Sequence, residues 1–385
     1  MSDQLQQLVL HERHEGLEAK FGTEGDFQVP LSYGDVLGEC LEIGQRAGLA
    51  DLSHAGRVRL RGDDSLALLE RACTHDVARQ EDDTAVATLL CNERGGIVAD
   101  ATLVRLEDEW LLLTGPATRG KALEHLRALG EGLDVRIDDH AAKTVELLLA
   151  GPASAGILDA ILPFKMSDVS PGGVKAGTML IAKYIAVRMD IGSVWCSHVI
   201  LPNLLAGQAW DYMTTRAKGQ PVRPVGMAAL DVLRIEQGLP RYGHELNETI
   251  DPVTAGLQAA VSGRGDYLGA AAIAEIARRG PARRRVGLAM ASGQVTPQQV
   301  AARLAADDET TTPDAAIRLP GIPRLGDDVL DAAGAEVGTV TSGTWSPTRE
   351  GPVAMAYVAA SAVGAGRFQV KTAAGLVEAT VIARP

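Results

Sequence analysis

The sequence predicts an α+β protein of two or three domains that ends in a small β-barrel, and three observations carry that expectation. The chain has 385 residues, too many for one ordinary core. Helical and strand periodicities alternate along it without a short repeat. From about 286 onward, Gly- and Val-rich strand patterns are punctuated by turn residues, as in a barrel.

Taken in chain order, residues 64–79 (DSLALLERACTHDVAR) read as an amphipathic helix opening on Asp-Ser. Asn92, Gly95 and Gly96 then supply turn chemistry, since Gly reaches positive φ without steric cost. Residues 97–104 (IVADATLV) form a strand of short, branched and apolar residues. Side chains alternate along a strand, which groups Val98, Asp100, Thr102 and Val104 on one face. Residues 107–109 make the hairpin turn, and 111–113 the partner strand. A helix follows at 116–129 and a strand at 144–149. The helix 224–237 ends at Gly238, with Pro240 beyond it. Asp251 caps the next helix, with Pro252 in its first turn. The basic stretch 275–285 (EIARRGPARRR) reads as a linker, and the polar, Thr/Asp-rich 302–318 as a mobile loop within the barrel domain.

Asp100 is the most informative residue. A carboxylate inside an apolar run must be hydrogen-bonded, charge-paired or protonated. Reached through a Gly-rich turn, it is a candidate proton-handling group; the alternative is an Asp accepting backbone N–H bonds at the strand entry.

Composition narrows the classes. The net charge of −12 argues against a nucleic-acid partner. No apolar run approaches the ~20 residues of a membrane helix, and the polar N-terminus is unlike a signal peptide. Cys40, Cys73, Cys91 and Cys196 are scattered, which fits reduced thiols and a cytoplasmic location better than disulfides or a metal site.

The run 91–104 (CNERGGIVADATLV) resembles the Asn-Glu-x-Gly-Gly-Ile-x-Asp-Asp segment of the glycine-cleavage T-protein (aminomethyltransferase) family. Further resemblances follow in the family's order: 27–33 (FQVPLSY) with 48–56 (GLADLSHAG), 72–77 (ACTHDV), 148–152 (LLAGP), 231–238 (DVLRIEQG) with 242–245 (YGHE), and 339–348 (TVTSGTWSPT). The resemblance implies a three-lobed fold, with two interleaved α+β lobes within 1–280 and a β-barrel over 281–385. It also implies a tetrahydrofolate-dependent one-carbon transferase acting on a small-molecule donor, with Asp100 as the catalytic carboxylate at a central cavity. His198, Arg234, Glu236 and Tyr242 become candidates for contact with the cofactor, and His54 and Trp195 for contact with the donor. Arg234 and Glu236, two apart on a helix, point to different sides. Pairing of Arg234 with another element, and support of the helix end by Glu236, stand as alternatives. Tyr242 has the alternative of an ordinary half-buried tyrosine.

The chain also departs from the family. Ala99 replaces the first Asp, as it is replaced in demethylases of the superfamily. The family's mid-chain glycine loop is missing, and alignment on Leu201-Pro202 places His198 where a pterin-gripping Glu stands. Ala55, Ala87, Leu230 and Ala259 occupy positions of larger, aromatic or charged groups. These changes point to a donor other than that of glycine cleavage, and a lipoyl carrier protein is not expected as partner. An enzyme that has lost folate and uses Asp100 and His198 on another ligand is the alternative. A non-catalytic folate-binding protein is the third reading.

Overall fold

The computed structural model describes residues 5–179, 182–216, 221–291, 295–306, 312–313 and 319–383. It is a mixed α+β protein of three lobes. A small sheet of Gln6–Gln7, Phe27–Ser32 and Lys20–Glu24 flanks a six-stranded sheet. That sheet runs Val174–Met179, Ala182–Arg188, Cys196–Pro202, Thr144–Ala150, Gly48–Asp51, Arg223–Pro224. A five-stranded sheet runs Thr84–Cys91, Ile97–Leu106, Glu109–Thr114, Gly56–Arg61, Arg136–Asp139. The chain interleaves the two: Gly48–Asp51 lies in the first, the next four strands and Arg136–Asp139 in the second, and Thr144–Ala150 returns to the first.

The two large sheets meet through Ala85, Val104, Leu111 and Leu113 on one side and Val174, Val187 and Ile200 on the other. The far faces bury separate cores. Val145, Leu147, Leu149, Val199 and Leu201 pack against Trp210. Leu60, Leu103 and Leu112 pack under the helices Ser65–Ala72 and Arg119–Leu129. Strand alternation thus leaves the facing sides of both sheets to form a site.

The C-terminal lobe is a closed six-stranded barrel, ordered Arg283–Met290, Gly351–Ala359, Glu336–Ser346, Asp328–Leu330, Arg367–Thr372, Gly375–Ile382. Leu288, Val340, Val358 and Phe368 fill it. The helix Met227–Glu236 packs on it, Ile235 against Val353 and Met355. Gly238, at φ +66°, terminates that helix: its N–H donates to Ile235 O and that of Leu239 to Arg234 O, a Schellman arrangement.

Four expectations change. The helix of 64–79 ends at Ala72, because Cys73 turns extended and bridges to Leu90; a single 3-10 turn, Val77–Arg79, follows. The helix of 224–237 begins only at Met227, since Arg223–Pro224 pairs with Gly48 and Leu49. The basic linker of 275–285 is largely regular structure: the helix Ala270–Arg279 runs into it, and Arg283–Arg285 starts the barrel's first strand. Of the expected loop 302–318, residues 302–306 finish the helix Pro297–Ala306, while 307–311 and 314–318 lie outside the described residues.

Candidate functional site

The turn before the Asp100 strand is built as its residues dictate. Asn92 Oδ1 accepts from the N–H groups of Arg94 and Gly96, at 3.0 Å each. Gly95 has φ +80°, and a Cβ at Gly96 would overlap the Glu248 carbonyl. A β-bulge at the strand start pairs Leu90 with Ala99 but Cys91 with Ile97. The extra residue shifts the alternation there, so Val98 packs with Ala99 and Leu103 rather than on the Asp100 face. Beyond it the expected alternation holds, and Asp100 and Thr102 face the space between the sheets.

That space is a cavity of about 480 Å³. Its walls are mostly apolar, with Leu52, Leu113, Leu148, Met189, Met227 and Leu230 among them. Ala55 and Ala87 line it, whereas Ala260, and not Ala259, reaches it. Among the candidate residues, Asp100, His54, His198 and Arg234 come together on its lining.

Asp100 is half-buried, opening only toward the cavity. Burial pushes its carboxyl above the ordinary carboxylate range, and its own backbone N–H offsets this only in part. Among the described residues it has no cation and no side-chain donor.

His198 stands on the strand Cys196–Pro202, opposite Leu148 in register, with Nδ1 2.7 Å from Glu146 Oε1. Glu146 Oε2 lies 3.0 Å from Arg57, which is fully buried. Burial acts to raise the Glu146 carboxyl, but the His198 hydrogen bond and the charges of His198 and Arg57 hold it below its ordinary value.

A chain of ion pairs crosses the rim. His54 Nε2 lies 2.9 Å from Glu24, Glu24 is 2.8 Å from Arg241, and Arg241 is 3.3 Å from Asp231. Asp231 is 2.9 Å from Arg234, which reaches Glu245 at 3.0 Å and donates to Ser342 Oγ of the barrel at 2.9 Å. His54 Nδ1 is buried with no hydrogen-bond partner among the described residues. Burial would raise the carboxyls of Glu24 and Asp231, yet their cationic neighbours keep both low.

Three candidates lie away from the cavity lining. Glu236 accepts from Ser346 Oγ and from Thr348 N–H at 3.2 Å, tying the helix end to the barrel. Tyr242 donates to Glu248 at 3.3 Å under the Lys121 ammonium, on the outer side of its connection. Trp195 packs on the opposite core of the six-stranded sheet, with the Arg188 guanidinium 5.5 Å from its ring centre. The sequence reading does not single out Glu146, Arg57, Glu24, Asp231 or Arg241. Glu146 carries the same signal as Asp100, a lone carboxylate in an apolar strand (TVELLLA). Arg57 gives no such signal, since alternation groups it with Arg59 and Arg61 on the face opposite the core residues Val58 and Leu60.

Comparison with known proteins bears on this arrangement. Residues 10–264 match the family model described as the GCVT N-terminal domain, and residues 315–385 the glycine cleavage T-protein C-terminal barrel domain. An aminomethyltransferase of Geobacillus kaustophilus is 33% identical over 355 residues, covering 89% of this chain and 87% of that one. Another, from Thermus thermophilus, is 30% identical and covers 94% of each. The crystal structure of glycine cleavage system aminomethyltransferase T from Bartonella henselae is similar with a TM-score of 0.83 and 27% identity, over 98% of this chain and 96% of that one.

Proposed function

The chain belongs to the glycine-cleavage T-protein family, and from that premise we propose that it is a tetrahydrofolate-dependent one-carbon transferase, moving a methyl or methylene group from a specialised small-molecule donor. The observation that carries this reading is Asp100: a carboxylate with no cationic partner among the described residues, raised in basicity by burial, at a ligand-sized cavity. The division at 280/281 goes with the reading, since the first barrel strand begins at Arg283.

The residues present fit the cofactor. The cavity of about 480 Å³ falls within the ~300–1,000 Å³ of small-molecule sites, and its leucine and methionine walls suit a flat ring. The unpartnered His54 Nδ1 and the Arg234 edge offer polar contacts. When bound, tetrahydrofolate supplies the nitrogen that accepts the carbon. Asp100 then takes up the proton displaced from that nitrogen, a task favoured by its raised basicity. The apolar walls exclude water from the transfer.

The donor is proposed to differ from that of glycine cleavage because Ala55, Ala87 and Leu230 leave room on the lining. Titration with tetrahydrofolate by calorimetry, for the wild type and Asp100→Asn, tests the cofactor. An assay with aminomethylated lipoyl carrier tests the divergence: efficient ammonia release would overturn it.

A further inference from the structure

The cavity wall contributed by the six-stranded sheet has proton chemistry of its own. Glu146 and His198 sit on the same face of adjacent antiparallel strands, one diagonal step apart. Arg57 fixes Glu146 from behind. Its remaining donors go to the carbonyls of Ser53, Ala55, Ala141 and Thr144 and to the Thr144 hydroxyl, at 2.8–3.3 Å. An anionic Glu146 can only accept, so Nδ1 of His198 carries the hydrogen and Nε2 is the nitrogen left for the cavity. The strand neighbours of His198 in register, Leu148 and Val187, are uncharged. The other ionisable groups on the lining are Asp100, Glu24, His54, Asp231, Arg234 and Arg241.

We propose that His198 and Glu146 are a proton-handling pair, in which His198 Nε2 protonates the departing atom of the one-carbon donor and Glu146 is its positioning residue. The inference deepens, and rests on, the one-carbon-transfer reading. It also names the class of donor: a one-carbon group carried on an oxygen or nitrogen that must gain a proton to leave, not a sulfonium or quaternary ammonium.

Two observations favour that class. The lining offers an imidazole nitrogen able to donate, which an onium donor does not need. An onium group is held by aromatic faces, and among the described residues the lining contains no Phe, Tyr or Trp. In the step proposed, the bond from carbon to the departing atom breaks with its electron pair on that atom. The departing atom takes the Nε2 proton, the carbon passes to the acceptor nitrogen, and that nitrogen's proton goes to Asp100. His198 is reprotonated from solvent as Asp100 releases its proton.

Diethylpyrocarbonate, which acylates unprotonated imidazole nitrogen, reads the pair without any donor. Peptide mapping of the full-length protein at one fixed pH should find His198 modified, and at a several-fold different rate in Glu146→Gln, which removes the carboxylate that orients the ring. An unreactive His198, or an unchanged rate, overturns the pair. The second variant, His198→Asn, keeps a donor for Glu146 but removes the cavity nitrogen. Methyl transfer to tetrahydrofolate from 4-methoxybenzoate, whose ether oxygen must gain a proton to leave as the phenol, should fall about 100-fold in it. Transfer from glycine betaine or S-methylmethionine that survives His198→Asn overturns the donor class. Calorimetry keeps the two readings apart: absent tetrahydrofolate binding with the rate change at His198 intact sinks the one-carbon reading and leaves the pair standing.

Discussion

The strands Ile97–Leu106 and Thr144–Ala150 each carry one carboxylate in an apolar run, and both carboxylates line the same cavity. Burial penalises both charges, yet their states diverge. Asp100 has no cation among the described residues and is pushed up; Glu146 has Arg57 and His198 and is held down. What separates their states is what the neighbouring strand supplies. The partner of Asp100 in register is Leu89, whereas the strand beside Glu146 delivers His198. Burial is thus uncompensated on one wall and offset on the other, and the carboxylate proposed to handle the proton is the costly one.

The largest expected effect breaks the Glu146 wall. Arg57→Met strands a buried carboxylate and should cost about 3–5 kcal/mol in urea unfolding. Adding Glu146→Gln to it should restore much of the loss. A cost below about 1 kcal/mol would mean that Arg57 does not hold Glu146 in its charged form.

Next comes the Asp100 wall. Asp100→Asn should lower turnover about 100-fold or more with the fold retained, as expected for a positioned proton acceptor. Unchanged turnover in a folded variant would make the two carboxylates functionally alike.

The pH responses should then run in opposite directions. Glu146 titrates lower in the folded protein than in the unfolded one, so its contribution is present at neutral pH and is lost as pH falls through the folded value. Glu146→Gln should therefore flatten the acid limb of the stability curve measured by urea titration. Asp100 titrates higher when folded, so its ionised form costs stability above that value. The smallest effect follows: Asp100→Asn should melt a few degrees higher than wild type at pH 8 and at the same temperature near pH 3. A lower melting temperature at pH 8 would show that Asp100 is stabilised by a partner.

Much of this was legible in the chain. The alternating run 97–104 announces a strand and sets Asp100 on its inner face, and the Gly-Val patterns after 286 announce the barrel. The remainder depended on partners distant in sequence. Cys73 leaves its helix because Leu90 pairs with it, and Arg283–Arg285 become strand because 357–359 lie alongside. Helix geometry sends Arg234 and Glu236 to different sides, but does not say which surroundings each one meets. Only the packing of Met227–Glu236 between cavity and barrel sends the first to the lining and the second to Ser346. Glu146 shows why a local signal alone is ambiguous: its run resembles that of Asp100, and its meaning lies in Arg57, 89 positions away.

The ion-pair chain from His54 to Ser342 has a consequence for synthesis. Arg283–Met290, the first barrel strand to leave the ribosome, pairs with Gly375–Ile382, the last, so closure waits for nearly the whole lobe. Until then Arg234 lacks its Ser342 acceptor, and the rim holding Asp231 and Arg241 is unfinished. The two sheets can assemble before the barrel closes, but the rim of the cavity is complete only once Gly375–Ile382 has been made and paired, so the cavity is the last part of these lobes to take its final shape.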